Sequence, residues 1–292
     1  MRDYVICIDA SVDIEQRWID ENNVVIIPMK YTLGEQEYLM ENRLTDSKLK
    51  DFYDAMRAGQ MTHTSQITPY YYQQVFGKEA EKGHDILYIS LSSGLSNTYS
   101  SALTAAGEIE DEYEGIKIEV VDSLAGTGGM GLLLMMAIRA KQNGVSLTDN
   151  AAALRQNAGK VCHWFMVDDL KYLRRGGRIS AATAVAGTVL NIKPILKIQD
   201  DGTLISIAKK RGLAKAASFL TECYGGALDA SISNDVVIAH ADCEKEAEAA
   251  RERILAFNPD AKVMICGLGP VIGAHTGPGM MAVIHWGNRN FV

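Results

Sequence analysis

Two hundred and ninety-two residues, 47% of them apolar, carry 29 basic and 36 acidic side chains for a net charge of −7. Such a chain is too apolar and too weakly charged to be disordered, and it shows no glycine repeat of the collagen kind. Its length suggests two domains and a core large enough to stand without disulfides or metal.

The amino terminus places acidic groups on both sides of a short apolar run and lacks the long apolar stretch of a signal peptide, which predicts a cytoplasmic protein. Residues 4–8, 24–27, 85–91 and 117–121 read as strands. Leu49, Phe52, Tyr53 and Met56 recur at helical spacing and predict a helix after Thr45 that stops at Gly59. The segment Thr62-His63-Thr64-Ser65-Gln66-Ile67-Thr68 reads as a hydroxyl-rich helix start. Thr68 would cap that helix, with Pro69 in its first turn and its end towards Gly83.

The strand at 85–91 runs into Ser90-Leu91-Ser92-Ser93-Gly94-Leu95-Ser96-Asn97-Thr98. Capping explains one or two of these hydroxyls. The others, set where an α/β sheet meets a helix start, suit a phosphate or a carboxylate. Together with the cluster at 62–68 they form two sides of one polar pocket. Gly126-Thr127-Gly128-Gly129-Met130-Gly131 has the spacing of a dinucleotide loop. Residues 122–125 separate it from its strand, however, and no acidic residue ends a following strand. Close packing of a helix on the sheet is the expected role. The uncharged run 130–138 ends at Arg139, well short of the ~20 residues that cross a bilayer.

A helix follows Thr148 and ends near Gly159. Residues 168–180 read as a short helix with aspartates at its start, arginines at its end and two glycines stopping it, and a second helix starts at Ser180. Asp201-Gly202, between strands at 192–199 and 203–208, is a hairpin signal, so antiparallel pairing is expected only in the second half. Strands at 236–240 and 262–266 flank the charged helix Glu244–Phe257. The fold class is therefore an α/β N-terminal domain with a parallel sheet over residues 1–158. An α+β C-terminal domain with a mixed or antiparallel sheet follows over 159–292. Ten basic and two acidic residues lie between Lys171 and Lys215, either a solvated face or a docking surface for an anionic partner. His275-Thr276-Gly277-Pro278-Gly279 reads as a tight turn carrying an imidazole and a hydroxyl. His63, His84, His163, His240 and His285 lack metal-ligand spacing and receive no chemical role, and the five cysteines form no recognisable pair or zinc pattern.

As an ordered set these motifs resemble the DegV family: Thr64-Ser65-Gln66, Ser92-Ser93-Gly94-Leu95-Ser96-x-Thr98, Asp122-Ser123, Leu173-x-x-Gly176-Gly177-Arg178-Ile179, Lys193-Pro194, Lys209-x-Arg211-Gly212 and the 275–279 turn. The chain departs from the family pattern at Ala10, Ile67 and Asn97. The resemblance implies a two-domain protein that holds one long-chain fatty acid, such as palmitate, stearate or oleate, between its domains. It also implies a non-enzymatic carrier that presents the acid to a separate fatty acid kinase, which makes acyl phosphate for phospholipid synthesis. No cofactor, metal, nucleic acid or membrane insertion is expected. The carboxylate shell carried over is Thr64, Ser65, Ser93, Gly94, Ser96, His275 and Thr276, with Arg211 and then Arg178 as docking contacts. Two other readings compete. One is a serine hydrolase using Ser96 and His275, although the second glycine of a nucleophile elbow is missing. The other is a regulatory anion-binding module acting through the basic stretch, which no known nucleic-acid-reading motif accompanies.

Overall fold

The computed structural model describes residues 3–180 and 191–292. The chain opens with β1 (Tyr4–Asp9), a short α1 (Gln16–Asp20) and β2 (Val25–Ile27), followed by β3 (Met29–Leu33), β4 (Gln36–Met40), α2 (Asp46–Arg57) and β5 (Thr62–Ser65). Next come α3 (Pro69–Glu81), β6 (Asp85–Ser90), α4 (Thr98–Glu112), β7 (Ile118–Asp122), α5 (Gly128–Gln142) and α6 (Leu147–Ala158). Four of these strands form an all-parallel sheet in the order β2-β1-β6-β7. β6 is buried along its whole length, which is why its sequence reads as a continuous apolar run instead of an alternation. α2 buries Leu49, Phe52, Tyr53 and Met56, as the spacing predicts. Thr68 caps α3 by accepting from the Tyr71 N–H, and Pro69 takes the first helical position.

The remaining elements are β8 (Val161–Met166), α7 (Lys171–Arg175), β9 (Ile192–Ile198), β10 (Leu204–Arg211), α8 (Leu213–Ala227), β11 (Asp235–His240), α9 (Glu244–Phe257), β12 (Lys262–Gly267), α10 (Pro270–Thr276) and β13 (Met281–Trp286). Their strands form a six-stranded mixed sheet, β10-β9-β8-β13-β11-β12, in which only β11 and β12 run parallel. The Asp201-Gly202 turn joins β9 to β10 as expected, with Gly202 at φ 78°.

Four expectations need correction. Antiparallel pairing also occurs in the first half, where β4-β3-β5 is a small separate sheet. Gly34, at φ 61°, allows the two-residue turn between β3 and β4. Residues 62–65 are a strand paired with β3 and not a helix start, so Thr68 alone caps. α6 begins earlier than the sequence suggests, because Ser146 caps it by accepting from the Asp149 N–H at 3.1 Å. His275 and Thr276 are the last two residues of α10, and the turn begins only at Gly277. The helix expected from Ser180 lies outside the described residues.

α5 lies between the two large sheets, touching β1 and β6 on one side and β8, β11 and β13 on the other. Both of its faces are therefore buried, which accounts for the apolar run at 130–138. Its glycines let the backbone approach. A Cβ on Gly128 would stand 2.4 Å from Val237 Cγ1, and one on Gly129 would stand 2.1 Å from His163 Nε2. Along β8, Val161 and Phe165 belong to the core shared with α5, whereas Cys162, Trp164 and Met166 pack under α8 and α9. Among the described residues no helix is long and apolar enough to cross a membrane.

Candidate functional site

Between the sheets lies a cavity of about 260 Å³, walled by residues from both parts of the chain. Leu95, Phe165, Ile198, Leu204, Ile272 and Met280 give it an apolar lining. Thr64, Ser65, Ser96, Arg178, His275 and Thr276 add a polar set. Each comes from a different local device. β5 delivers Thr64 and Ser65 from the edge of the small sheet. The loop after β6 delivers Ser96, and the C-terminal turn of α10 delivers His275 and Thr276.

Thr64 Oγ1 lies 2.7 Å from His275 Nε2. The ring fits only because residue 176 is glycine: a Cβ there would stand 2.2 Å from His275 Nδ1. Gly277 plays the same part for Tyr172, with φ 78° and a virtual Cβ 2.2 Å from Cδ2. The paired glycines after α7 and the glycines after α10 thus let the two helix ends press together. Burial pushes the His275 imidazole down to about 3, helped by the positive charges of Arg178 and Arg175, so the ring is neutral at physiological pH.

Arg178 is the cation of the site. Its Nε donates to Leu95 O at 3.0 Å and its Nη1 to Gly176 O. No carboxylate of the described residues pairs with it, and residues 181–190 contain no acidic side chain. Burial alone lowers its pKa, and a guanidinium keeps its proton under such a shift. The result is a half-buried positive charge facing an apolar cavity without a counter-ion. The sequence assigned Arg178 to helix stopping or docking; the fold turns it inwards.

Other expected residues lie elsewhere. Ser93 is exposed, and its N–H donates to Asp122 Oδ1 at 3.1 Å. Gly94 allows the β9–β10 hairpin to seat on the loop, since a Cβ would stand 2.5 Å from Gly202 C. Ser92 secures the same contact by donating to Gly202 O at 2.8 Å. Neither Ser93 nor Gly94 is among the cavity-lining residues. Arg211 closes β10 on an exposed position, away from the lining.

A hydrolase needs a serine within reach of a basic imidazole. Here Ser96 Oγ bonds Thr98 Oγ1 at 2.6 Å, while His275 Nε2 is engaged by Thr64. An imidazole with a pKa of about 3 is also far from the basicity that general-base catalysis near neutral pH requires.

Two buried groups were not marked by the sequence. Asp13 accepts from Thr127 Oγ1 at 2.6 Å and from the Gly269 N–H at 2.8 Å, tying the starts of α5 and α10 to the loop after β1. His163 lines the cavity itself.

Comparison with known proteins extends this picture over the whole chain. The sequence model described as an uncharacterised protein of the DegV family matches residues 3–286. A DegV domain-containing protein of Clostridium perfringens is 34% identical over 288 residues, covering 99% of either chain. The structure of a DegV family protein from Thermus thermophilus, described as showing fatty acid binding, has a TM-score of 0.83 at 27% identity. It covers 98% of this chain and 100% of that one. The structure of DegV from Bacillus subtilis, described as a fatty acid binding protein, has a TM-score of 0.82 at 28% identity and covers 97% and 99%. The chain belongs to the DegV family.

Proposed function

We propose that this protein is a carrier that binds one long-chain fatty acid, such as palmitate, stearate or oleate, and performs no chemistry on it. The observation that carries this reading is Arg178, a cation without a carboxylate partner among the described residues, set with a group of hydroxyls in the wall of a cavity that also carries a large apolar lining. A fatty acid is the complementary shape: an anion on a hydrocarbon tail. The fatty-acid-binding DegV relatives support the same reading. Burying the tail yields about 0.8 kcal/mol per CH₂, so a sixteen-carbon chain gains roughly 10 kcal/mol before ordering and association costs. The head adds orientation.

In this reading Arg178 and the hydroxyls of Thr64, Ser65, Ser96 and Thr276 face the carboxylate. Thr64 Oγ1 and His275 Nε2 share a hydrogen bond; with the proton of the neutral imidazole on Nε2 the ring is the donor, and the Thr64 hydroxyl hydrogen is then free to point at the anion. Ser93 and Gly94 act at one remove, holding the loop that carries Ser96. A domain division near residue 158 would put the ligand between the two domains. The carboxylate would then be presented to a separate fatty acid kinase for acyl phosphate formation, feeding phospholipid synthesis, with Arg211 as a docking contact.

Arg178→Ala and Thr64→Ala each remove hydrogen bonds to a charged group, worth about 1.5–3 kcal/mol apiece. Fatty-acid affinity should fall about 10- to 100-fold in each, with unchanged circular dichroism. Undiminished affinity in both variants would overturn the proposed carboxylate shell.

A further inference from the structure

In the parallel sheet the chain runs from β1 outward to β2 on one side, and β6 pairs with β1 on the other. The crevice beyond the carboxyl ends of β1 and β6 is therefore the switch point at which sheets of this kind hold their ligands. Two features meet there. One is the loop 91–97 that follows β6, which gives Leu91, Leu95, Ser96 and Asn97 to the cavity wall and whose Leu95 O accepts from Arg178 Nε. The other is Asp9, the last residue of β1, which is 0% exposed and is not among the lining residues.

Asp9 gathers four donors. Oδ1 accepts from the Ser11 N–H at 3.0 Å and from the Ser11 hydroxyl. Oδ2 accepts from the Tyr88 hydroxyl at 3.0 Å and from the Leu91 N–H at 2.9 Å. All four donors are neutral, and no cation pairs with Asp9 among the described residues. Burial disfavours the charge while the donors favour it. The Ser11 bonds are local, and Tyr88 lies within the neighbouring strand. The Leu91 bond is different. The ladder between β1 and β6 ends at Ile8 and Ile89, so this bond fixes the root of the loop beyond the last paired residues. Further along, Ser92 ties the loop to Ala125 O and Gly202 O.

A carboxylate can serve both pairs of donors at once. Asparagine has the same shape, but its single oxygen faces either the Ser11 side or the Leu91 side, and its NH₂ then confronts donors on the other. Burying a carboxylate without a cation is costly. What the second oxygen secures here is the start of the loop.

We propose that Asp9 is a positioning residue for head-group recognition: through the Leu91 N–H it sets the root of loop 91–97, and through the loop it places the Ser96 hydroxyl and the carbonyl that orients Arg178. The inference rests on the fatty-acid reading and extends it to a residue that the ligand does not touch. Phe165, Ile198, Leu204 and Met280 of the apolar wall come from other segments. Loss of the grip therefore weakens the hold on the carboxylate and spares the hold on the tail.

The test compares two ligands with the same tail. Delipidated protein is offered equimolar palmitate and 1-hexadecanol, and the ratio of bound acid to bound alcohol is read by native mass spectrometry. In the wild type the acid should prevail about 10- to 100-fold, the yield of hydrogen bonds to a charged group. In Asp9→Asn that ratio should fall about tenfold, with alcohol uptake retained. Tyr88→Phe removes a donor from the same oxygen but leaves the Leu91 bond, so it should keep the wild-type ratio. A role in stability alone would lower acid and alcohol together; an unchanged ratio in Asp9→Asn overturns the proposal and leaves the carrier reading intact. A ratio that collapses equally in Tyr88→Phe also overturns it, since the effect then belongs to the buried network at large. If Asp9→Asn does not fold, replacing the Leu91 amide by an ester deletes the same bond from the loop side, and the same two results decide. Wild-type protein that takes up neither ligand, or both equally, overturns the carboxylate reading together with the role of Asp9.

Discussion

Burial acts differently on the ionisable side chains around the cavity. It strips His275 and His163 of any charge near neutral pH, yet it leaves Arg178 a cation. The site therefore offers one fixed positive charge and a set of neutral hydrogen-bonding groups, a combination suited to holding a carboxylate. Asp13 shows the converse effect. Desolvation raises its carboxyl to about 6 although Thr127 and Gly269 donate to it. Because that value lies above the ~3.9 of an unfolded aspartate, folding favours the protonated form. The contribution is whole below about pH 4 and is lost as pH rises through about 6. The stability of the wild type relative to Asp13→Asn should accordingly fall by about 2 kcal/mol between pH 4 and pH 7. Urea denaturation across that range measures it, and a difference that does not change with pH would count against the assignment. The hydroxyls of Thr64 and Ser96 were legible in the sequence because they cluster at element ends. His163 was not, since β8 is buried on both faces and its continuous apolar run conceals which residues face the cavity.

Elements decide which of these residues meet. Thr64 and His275 are 211 positions apart, and they touch because the edge of the small antiparallel sheet brings β5 against the end of α10. That sheet was hidden from sequence reading: its strands are short, and only Gly34 marks the turn between two of them. The hairpin at Asp201-Gly202 was legible because its turn chemistry is strong and local. α5 illustrates a motif whose form misleads. Its glycine spacing matches a dinucleotide loop, but the glycines are there to let a helix lie between two sheets. Gly128→Ala improves helix propensity by up to about 1 kcal/mol. It also drives a methyl group to 2.4 Å from Val237 Cγ1. Overpacking of this kind costs about 1–3 kcal/mol, so the clash should prevail. A lowered midpoint in thermal unfolding is the expected outcome, and an unchanged or raised midpoint would show that the Val237 side of the contact yields freely.

For the whole molecule, the division into a parallel and a mixed sheet creates the space in which the cavity lies, and the alternation of strands with helices made the parallel part readable. The charge pattern is less simple than the sequence suggests. In the basic stretch, Lys171 and Lys193 pair with Asp169 and Asp168 just before it, at 3.2 and 2.5 Å. Arg178 turns into the cavity. Arg211 stays exposed, with no ion pair among the described residues. If Arg211 docks a kinase, Arg211→Ala should retain normal fatty-acid content yet support slower acyl phosphate formation with the kinase and ATP. Raising salt should narrow the gap, as the Debye length falls from ~10 Å at 0.1 M to ~3 Å at 1 M. Full turnover by the variant at every salt concentration would return Arg211 to the solvated surface. The claim on which the rest depends is that the cavity holds one fatty acid by its carboxylate, and native mass spectrometry of the purified protein reads this directly. The expected result is a mass increment of one long-chain fatty acid per chain, either as isolated or after loading a delipidated sample with acids of about sixteen to eighteen carbons. A protein that takes up no such acid under either condition contradicts it.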